Sequence, residues 1–107
     1  MKTIWKYPFV TAGAFSLELP EEARILTVQT QPTLGLDEAD PCIWALVDPA
    51  PDVPREVRHF RVLGTGQAIE DDLRLQYIGT YQLHGGTFVG HLFQVLARRV
   101  PDGPDLC

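Results

Sequence analysis

Two runs of alternating residues, joined by Gly85-Gly86, constrain this chain more than anything else in it. From Leu73 to Leu83 the odd positions are Leu73, Leu75, Tyr77, Gly79, Tyr81 and Leu83, and the even ones Arg74, Gln76, Ile78, Thr80 and Gln82. Successive side chains leave a strand on opposite faces, so period-two alternation over this length predicts a half-buried β-strand. A two-residue hairpin turn needs positive φ at its centre, which glycine adopts without steric cost. The expected hairpin sets His84 opposite Thr87, Leu83 opposite Phe88, Tyr81 opposite Gly90 and Gly79 opposite Leu92. Tyr77 then falls opposite Gln94, and Leu75 opposite Leu96. One face carries Leu75, Leu96, Tyr77, Leu92, Tyr81, Leu83 and Phe88 and is expected in the core. The other mixes Gln76, Val95, Ile78, Phe93, Thr80, His91, Gln82 and Val89.

Other strands must pack on this hairpin, and the rest of the chain supplies them. Residues 2–7, 15–19, 24–31, 42–48 and 56–63 each read as a strand, bounded by proline, glycine or acidic clusters. FSLEL and RILTVQTQ are expected as a hairpin about Pro20-Glu21-Glu22, with a short helical turn at residues 20–23 as the rival. Cys42–Asp48 is apolar on both faces, which predicts a central strand covered on both sides. Pro32 to Pro41 and Pro49 to Pro54 read as loops. No segment holds a helical period over three turns. The expectation is a mainly β fold of about seven strands, antiparallel or mixed, in a small β-sandwich or open barrel with at most a short helical turn. A chain of 107 residues has room for one core. The expected division is one β-rich domain over 1–97 and a solvated tail over 98–107.

Charge and composition exclude several functions. The net charge is -5 and the nine basic residues are scattered, with only Arg98-Arg99 adjacent, so nucleic acid is not an expected partner. No apolar run approaches the roughly 18 residues of a membrane span. Lys6 and Pro8 interrupt the faint leader-like pattern at the start, and a cytoplasmic protein is expected. Cys42 and Cys107 do not make a disulfide framework.

The motifs that invite chemistry are incomplete. Gly64-Thr65-Gly66 lacks the further glycine, the Lys-Ser/Thr pair and the helix of a phosphate loop. His84 and His91 share a face of the expected hairpin but lie about 13 Å apart along it at roughly 3.4 Å per residue, too far to share a metal ion. Turn hydrogen bonding accounts for His84, and a cross-strand pairing with Thr80 for His91. Ser16 is the one serine and has no nucleophile elbow around it. No catalytic residue, metal ligand or cofactor is assigned. Ile78, Val89, Phe93 and Val95 are too apolar for a plain solvent face, so either a second layer covers them, for example with Trp5 or Trp44, or they form a partner surface.

Several stretches look familiar together: MKTIWKYPF, PCIWALVDP, and FRVLGTGQAI followed by DDL, YIGTYQLHGG and FVGHLF. They resemble a family of small bacteriophage and prophage proteins over most of residues 1–94. The chain departs from that pattern in a longer loop around residues 32–40 and after Gln94. The resemblance implies a soluble, intracellular, phage-associated protein of a kind that binds and redirects host proteins. It implies no activity.

The first expectation is therefore a non-enzymatic protein-interaction module of phage or prophage type, with an anti-defence or host-takeover role. Its partner would be a host or phage protein, or a second copy of the chain. Its candidate surface is Ile78, Thr80, Val89, His91, Phe93 and Val95. The alternative is a binder of a nucleotide-like ligand in an aromatic pocket between the hairpin and Cys42–Asp48, lined by Trp44, Tyr77, Tyr81 and His91. A metal-dependent enzyme is third.

Overall fold

The computed structural model describes residues 1–10, 13–32 and 39–98. Seven strands follow one another: β1 (Thr3–Pro8), β2 (Ala14–Pro20), β3 (Arg24–Pro32), β4 (Ala39–Val47), β5 (Arg55–Gly64), β6 (Leu73–Leu83) and β7 (Phe88–Arg98). A 3-10 turn at His84–Gly86 joins the last two, and no α-helix occurs among the described residues. One sheet has the order β1-β4-β3 and the other β2-β5-β7-β6, with every neighbouring pair antiparallel. They form a small β-sandwich, one of the two expected architectures. Arg98, expected to open the tail, is the last residue of β7; the rest of that tail, and most of the expected loop from Pro32 to Pro41, lie outside the described residues.

Alternation builds the core. Ile43, Ala45 and Val47 leave β4 on one face and are almost wholly buried. They join Leu19, Val28, Phe60, Val62, Tyr81 and Leu92 in one cluster. Phe9 stacks on Phe15 at 4.6 Å, and Phe15 on Phe60 at 5.2 Å, closing one side of it.

Three strand-level expectations change. β2 and β3 are not a hairpin: β2 pairs with β5 and β3 with β4. The turn expected at Pro20–Glu22 is present, with Ala23 N–H donating to the Pro20 carbonyl and Glu22 at φ 66. It carries the chain from one sheet to the other, which lets each strand turn its apolar face inward. β4 is central, but only its Ile43 face meets the second sheet. Trp44 and Leu46, on the opposite face, are half-buried, and the Lys6 ammonium lies 5.8 Å from the Trp44 ring. β4 also starts earlier than expected, at Ala39, because Ala39, Asp40 and Pro41 pair with Pro32, Gln31 and Thr30.

The hairpin holds its expected register from Leu83↔Phe88 to Gly79↔Leu92 and then shifts. Gly85 and Gly86 have φ 65 and 93, as the turn requires, while His84 is itself left-handed at φ 53 and stands outside the ladder. Between Gly79 and Tyr77, β6 carries one extra residue, Ile78, so Tyr77 pairs with Phe93 rather than Gln94. β7 carries its own extra residue, Leu96, so Leu75 pairs with Val95 rather than Leu96. A β-bulge moves every later side chain to the other face. Tyr77 and Leu96, expected in the core, are accordingly 57% and 49% exposed. Ile78, expected outside, packs against the core.

β5 and β6 flank β7 and run parallel to each other. The connection 65–72 must therefore cross a face of β7 to begin β6. The inner face is filled by Leu92, so it crosses the outer one. Thr65 Oγ1 reaches His91 Nε2 at 2.8 Å, and Arg61 Nη1 donates to Glu70 Oε1 at 2.9 Å.

Candidate binding cleft

β5 changes character along its inward face. Phe60 and Val62 are core, whereas Arg58 and Glu56, two and four residues earlier, are polar. β7 does the same, passing from buried Leu92 to Gln94, which pairs with Phe60 on one side and Gln76 on the other. Glu56, Arg58, Gln94 and Gln76 thus form a polar floor across three adjacent strands, at one end of the sandwich. Ala23 and the first residues of β3, Arg24 to Leu26, are the opposite wall. Between them lies a cleft of about 840 Å³, lined also by Val57, His59, Tyr77, Ile78, Val95 and Leu96.

Three bulges surround this cleft. Ladder shifts fall at Leu26 in β3, Ile78 in β6 and Leu96 in β7, and all three residues line it. Each bulge bends its strand and increases the local twist. The cleft opens at this end, while at Gly79 β6 lies against Val28 of β3. A Cβ built on Gly79 would stand 2.8 Å from Val28 Cγ1, so the sheets are in close contact immediately beside the opening.

The electrostatics of the floor centre on Arg58. Its Nε and Nη2 both donate to Glu56 Oε1, at 3.0 and 2.7 Å. The Arg58 side chain is 15% exposed and that of Glu56 40%. An ion pair with so exposed an acid is worth about 0–1 kcal/mol, so the guanidinium is held without being strongly committed. Arg24 and Arg58 against Glu56 leave the lining with an excess of positive charge on a chain of net charge -5. The paired amides of Gln76 and Gln94 each offer donors and an acceptor. Together these groups offer hydrogen-bond donors and acceptors of the kind used in recognition.

The aromatic pocket expected from the sequence does not form. Trp44 lies on the outer face of the three-stranded sheet, Tyr81 is buried in the core, His91 lies on the outer face of the four-stranded sheet, and Tyr77 stands at the cleft margin with its ring against Phe93. The expected interaction surface is also divided. Ile78 turns inward, Thr80, Val89, His91 and Phe93 remain outside, and Val95 borders the cleft. On that outer face Tyr77 Oη, Thr80 Oγ1, His91 and Thr65 Oγ1 form a hydrogen-bonded chain, with Thr80 Oγ1 2.9 Å from His91 Nδ1. The Tyr77 ring meets Phe93 edge-on at 5.5 Å. The expected pairing of His91 with Thr80 is present, and Thr65, at the start of the crossing segment 65–72, also reaches His91 on this face.

Elsewhere on that sheet Ser16 Oγ lies 2.7 Å from His59 Nδ1 on an exposed strand pair. This cross-strand contact has no acid shown to orient the histidine. No group of three or more His, Cys, Asp or Glu side chains suited to a metal ion occurs among the described residues.

The model of one family, described as a domain of unknown function (DUF7352), matches residues 1–102. The chain belongs to that family. DUF7352 membership spans every strand of the sandwich and all of the cleft. No curated protein and no solved structure matches the chain.

Sequence reasoning missed Glu56, Arg58, Gln76 and Gln94. A signal for them was available: in EVRHFRVL the face that carries Phe60 and Val62 also carries Glu56 and Arg58, and Gln94 breaks the Leu92–Leu96 run at the matching level. The bulges that bring these levels together leave no comparable mark in the sequence.

Proposed function

We propose that this DUF7352 protein is a non-enzymatic binding module that engages a protein partner through the cleft between β3 and the four-stranded sheet. The convergence of three bulges on one polar-floored opening carries the reading. Bulges re-aim side chains and are enriched beside functional sites, and polar residues on an inward face give up core packing. The resemblance of its sequence to small phage and prophage proteins supports an intracellular host protein as the partner, in an anti-defence or host-takeover role. The second reading keeps the module and moves its surface to the outer face, at Thr80, Val89, His91 and Phe93. The exposed Tyr77 ring against Phe93 favours it.

Quantitative affinity capture from a bacterial lysate separates the two. The baits are wild type, a cleft variant (Arg58→Gln with Gln94→Ala) and an outer-face variant (Val89→Ser with Phe93→Ser), each first checked for a cooperative melt. The expected result is a partner retained by the outer-face variant and lost by the cleft variant. The opposite pattern would move the interface to the outer face. A partner set that neither variant alters would overturn both readings.

A further inference from the structure

Resting on that reading, we infer that the cleft recognises an extended peptide segment through a carboxylate, with Arg58 as the anchor and Glu56 as an internal occupant of the same donors. The Glu56–Arg58 pair shows what this guanidinium binds. Its Nε and Nη2 hydrogens lie on one edge of the guanidinium, the edge that takes a carboxylate in two parallel hydrogen bonds. In this structure both converge on a single oxygen, Glu56 Oε1. That arrangement uses the two donors without the two-oxygen match, and an incoming carboxylate makes the better fit.

The rest of the cleft fits an extended segment better than an enclosed metabolite. Arg24, Leu26, Gln76, Tyr77 and Leu96 of its lining are exposed, so a ligand would lie along the opening rather than inside a closed pocket. Gln76 and Gln94 stand opposite each other in the ladder, and side-chain amides can pair with both the N–H and the C=O of a peptide backbone. Ile25, Leu26, Ile78 and Leu96 provide apolar contacts for residues flanking the acid. The surplus of arginine over glutamate in the lining, on a chain that is acidic overall, gives the charge complement.

Glu56 then acts as a built-in competitor, and this makes an unusual demand on a charge-removing substitution: Glu56→Gln should strengthen binding. The probes are the peptide acetyl-Ser-Leu-Glu-Leu-Ser-amide and its counterpart with Gln in place of Glu. They are titrated into ¹⁵N-labelled full-length protein, and the Arg58 Nε–H and the Gln76 and Gln94 side-chain amides are followed by NMR. The expected result is saturable shifts at those groups with the Glu peptide. Binding should be at least roughly tenfold weaker for the Gln peptide or for Arg58→Gln, the scale of a lost charge-assisted hydrogen bond. Glu56→Gln should bind the Glu peptide several-fold tighter, with its spectrum otherwise that of wild type.

Equal binding of the two peptides would overturn the carboxylate inference. Weaker binding by a folded Glu56→Gln protein would overturn the competitor role. The absence of saturable shifts at the cleft up to millimolar peptide would overturn the inference as a whole. Failure here is distinct from failure of the cleft as the partner surface, which the capture experiment reads without assuming any ligand charge.

Discussion

Gly90→Ala tests the packing on which the whole hairpin depends. Gly90 is buried opposite Tyr81, whose ring lies across it. A Cβ added at Gly90 would stand 2.6 Å from Tyr81 Cζ, 2.8 Å from Oη and 2.9 Å from Cε1. The ring has little room to retreat, since Tyr81 is 3% exposed and meets Phe9 edge-on at 5.8 Å and Phe88 at 6.2 Å. Overpacking of this kind costs about 1–3 kcal/mol, and three side-chain atoms inside 3 Å place it in the upper half of that range. Replacing a strand glycine with alanine returns about 0.5–1 kcal/mol through the unfolded chain. The net expectation is a loss of about 1–2 kcal/mol. In a Tyr81→Leu background the Cζ, Cε1 and Oη atoms are gone, and the same substitution should be neutral or stabilising by about 0.5 kcal/mol. Urea unfolding followed by tryptophan fluorescence gives the four stabilities of the cycle, with an unchanged m-value as the control. Equal losses in both backgrounds, or a Gly90→Ala protein as stable as wild type, would refute the reasoning that the ring and the missing side chain are matched.

Valine at Gly85 or Gly86 would force a β-branched residue to φ 65 or 93, and each substitution should cost about 1–3 kcal/mol in thermal melts; unchanged midpoints in the double variant would show that the turn tolerates other geometry. Tyr7 Oη is the one buried side-chain polar atom without a hydrogen-bond partner among the described residues. Removing it in Tyr7→Phe should leave stability unchanged or raise it by about 1 kcal/mol, and a clear loss would point to a partner for the hydroxyl. Burial raises the Tyr7 pKa above 10.0, with Arg55 opposing in part. The folded state then holds this proton more tightly than the unfolded one. Its contribution is complete below pH 10 and is lost as pH rises through the folded value. Wild type should therefore lose more stability than Tyr7→Phe in denaturation series from pH 9 to pH 11.

The parts of the fold legible in the sequence are those set by local periodicity. Ile43, Ala45 and Val47, or Phe60 and Val62, announce their inward face because alternate residues must share one. The Gly85-Gly86 turn announces itself because few other residues adopt positive φ. Sheet membership was not legible from local pattern. Nothing in FSLEL or RILTVQTQ says that the turn at Glu22 passes between layers rather than along one. The bulge at Ile78 was equally silent, since IGTY alternates well in either register, and it moved Tyr77 out of the core and Ile78 into it. The cleft was half-legible: Glu56 and Arg58 declare an inward face that turns polar, but only the pairing of β5 with β7 and of β7 with β6 places Gln94 and Gln76 at the same level.

The position of β7 between β5 and β6 has a consequence for the order of assembly. β2 and β5 can pair as soon as both exist, and so can β1, β4 and β3. β6 has no ladder neighbour in its sheet except β7, and the segment leading into β6 must already lie across the place that β7 will occupy. A chain in which β7 has yet to pair would hold the larger sheet open as a slot with two unpaired edges, those of β5 and β6. Those two edges are where a copy of β7 from another chain would pair, which makes the slot the expected point of strand exchange.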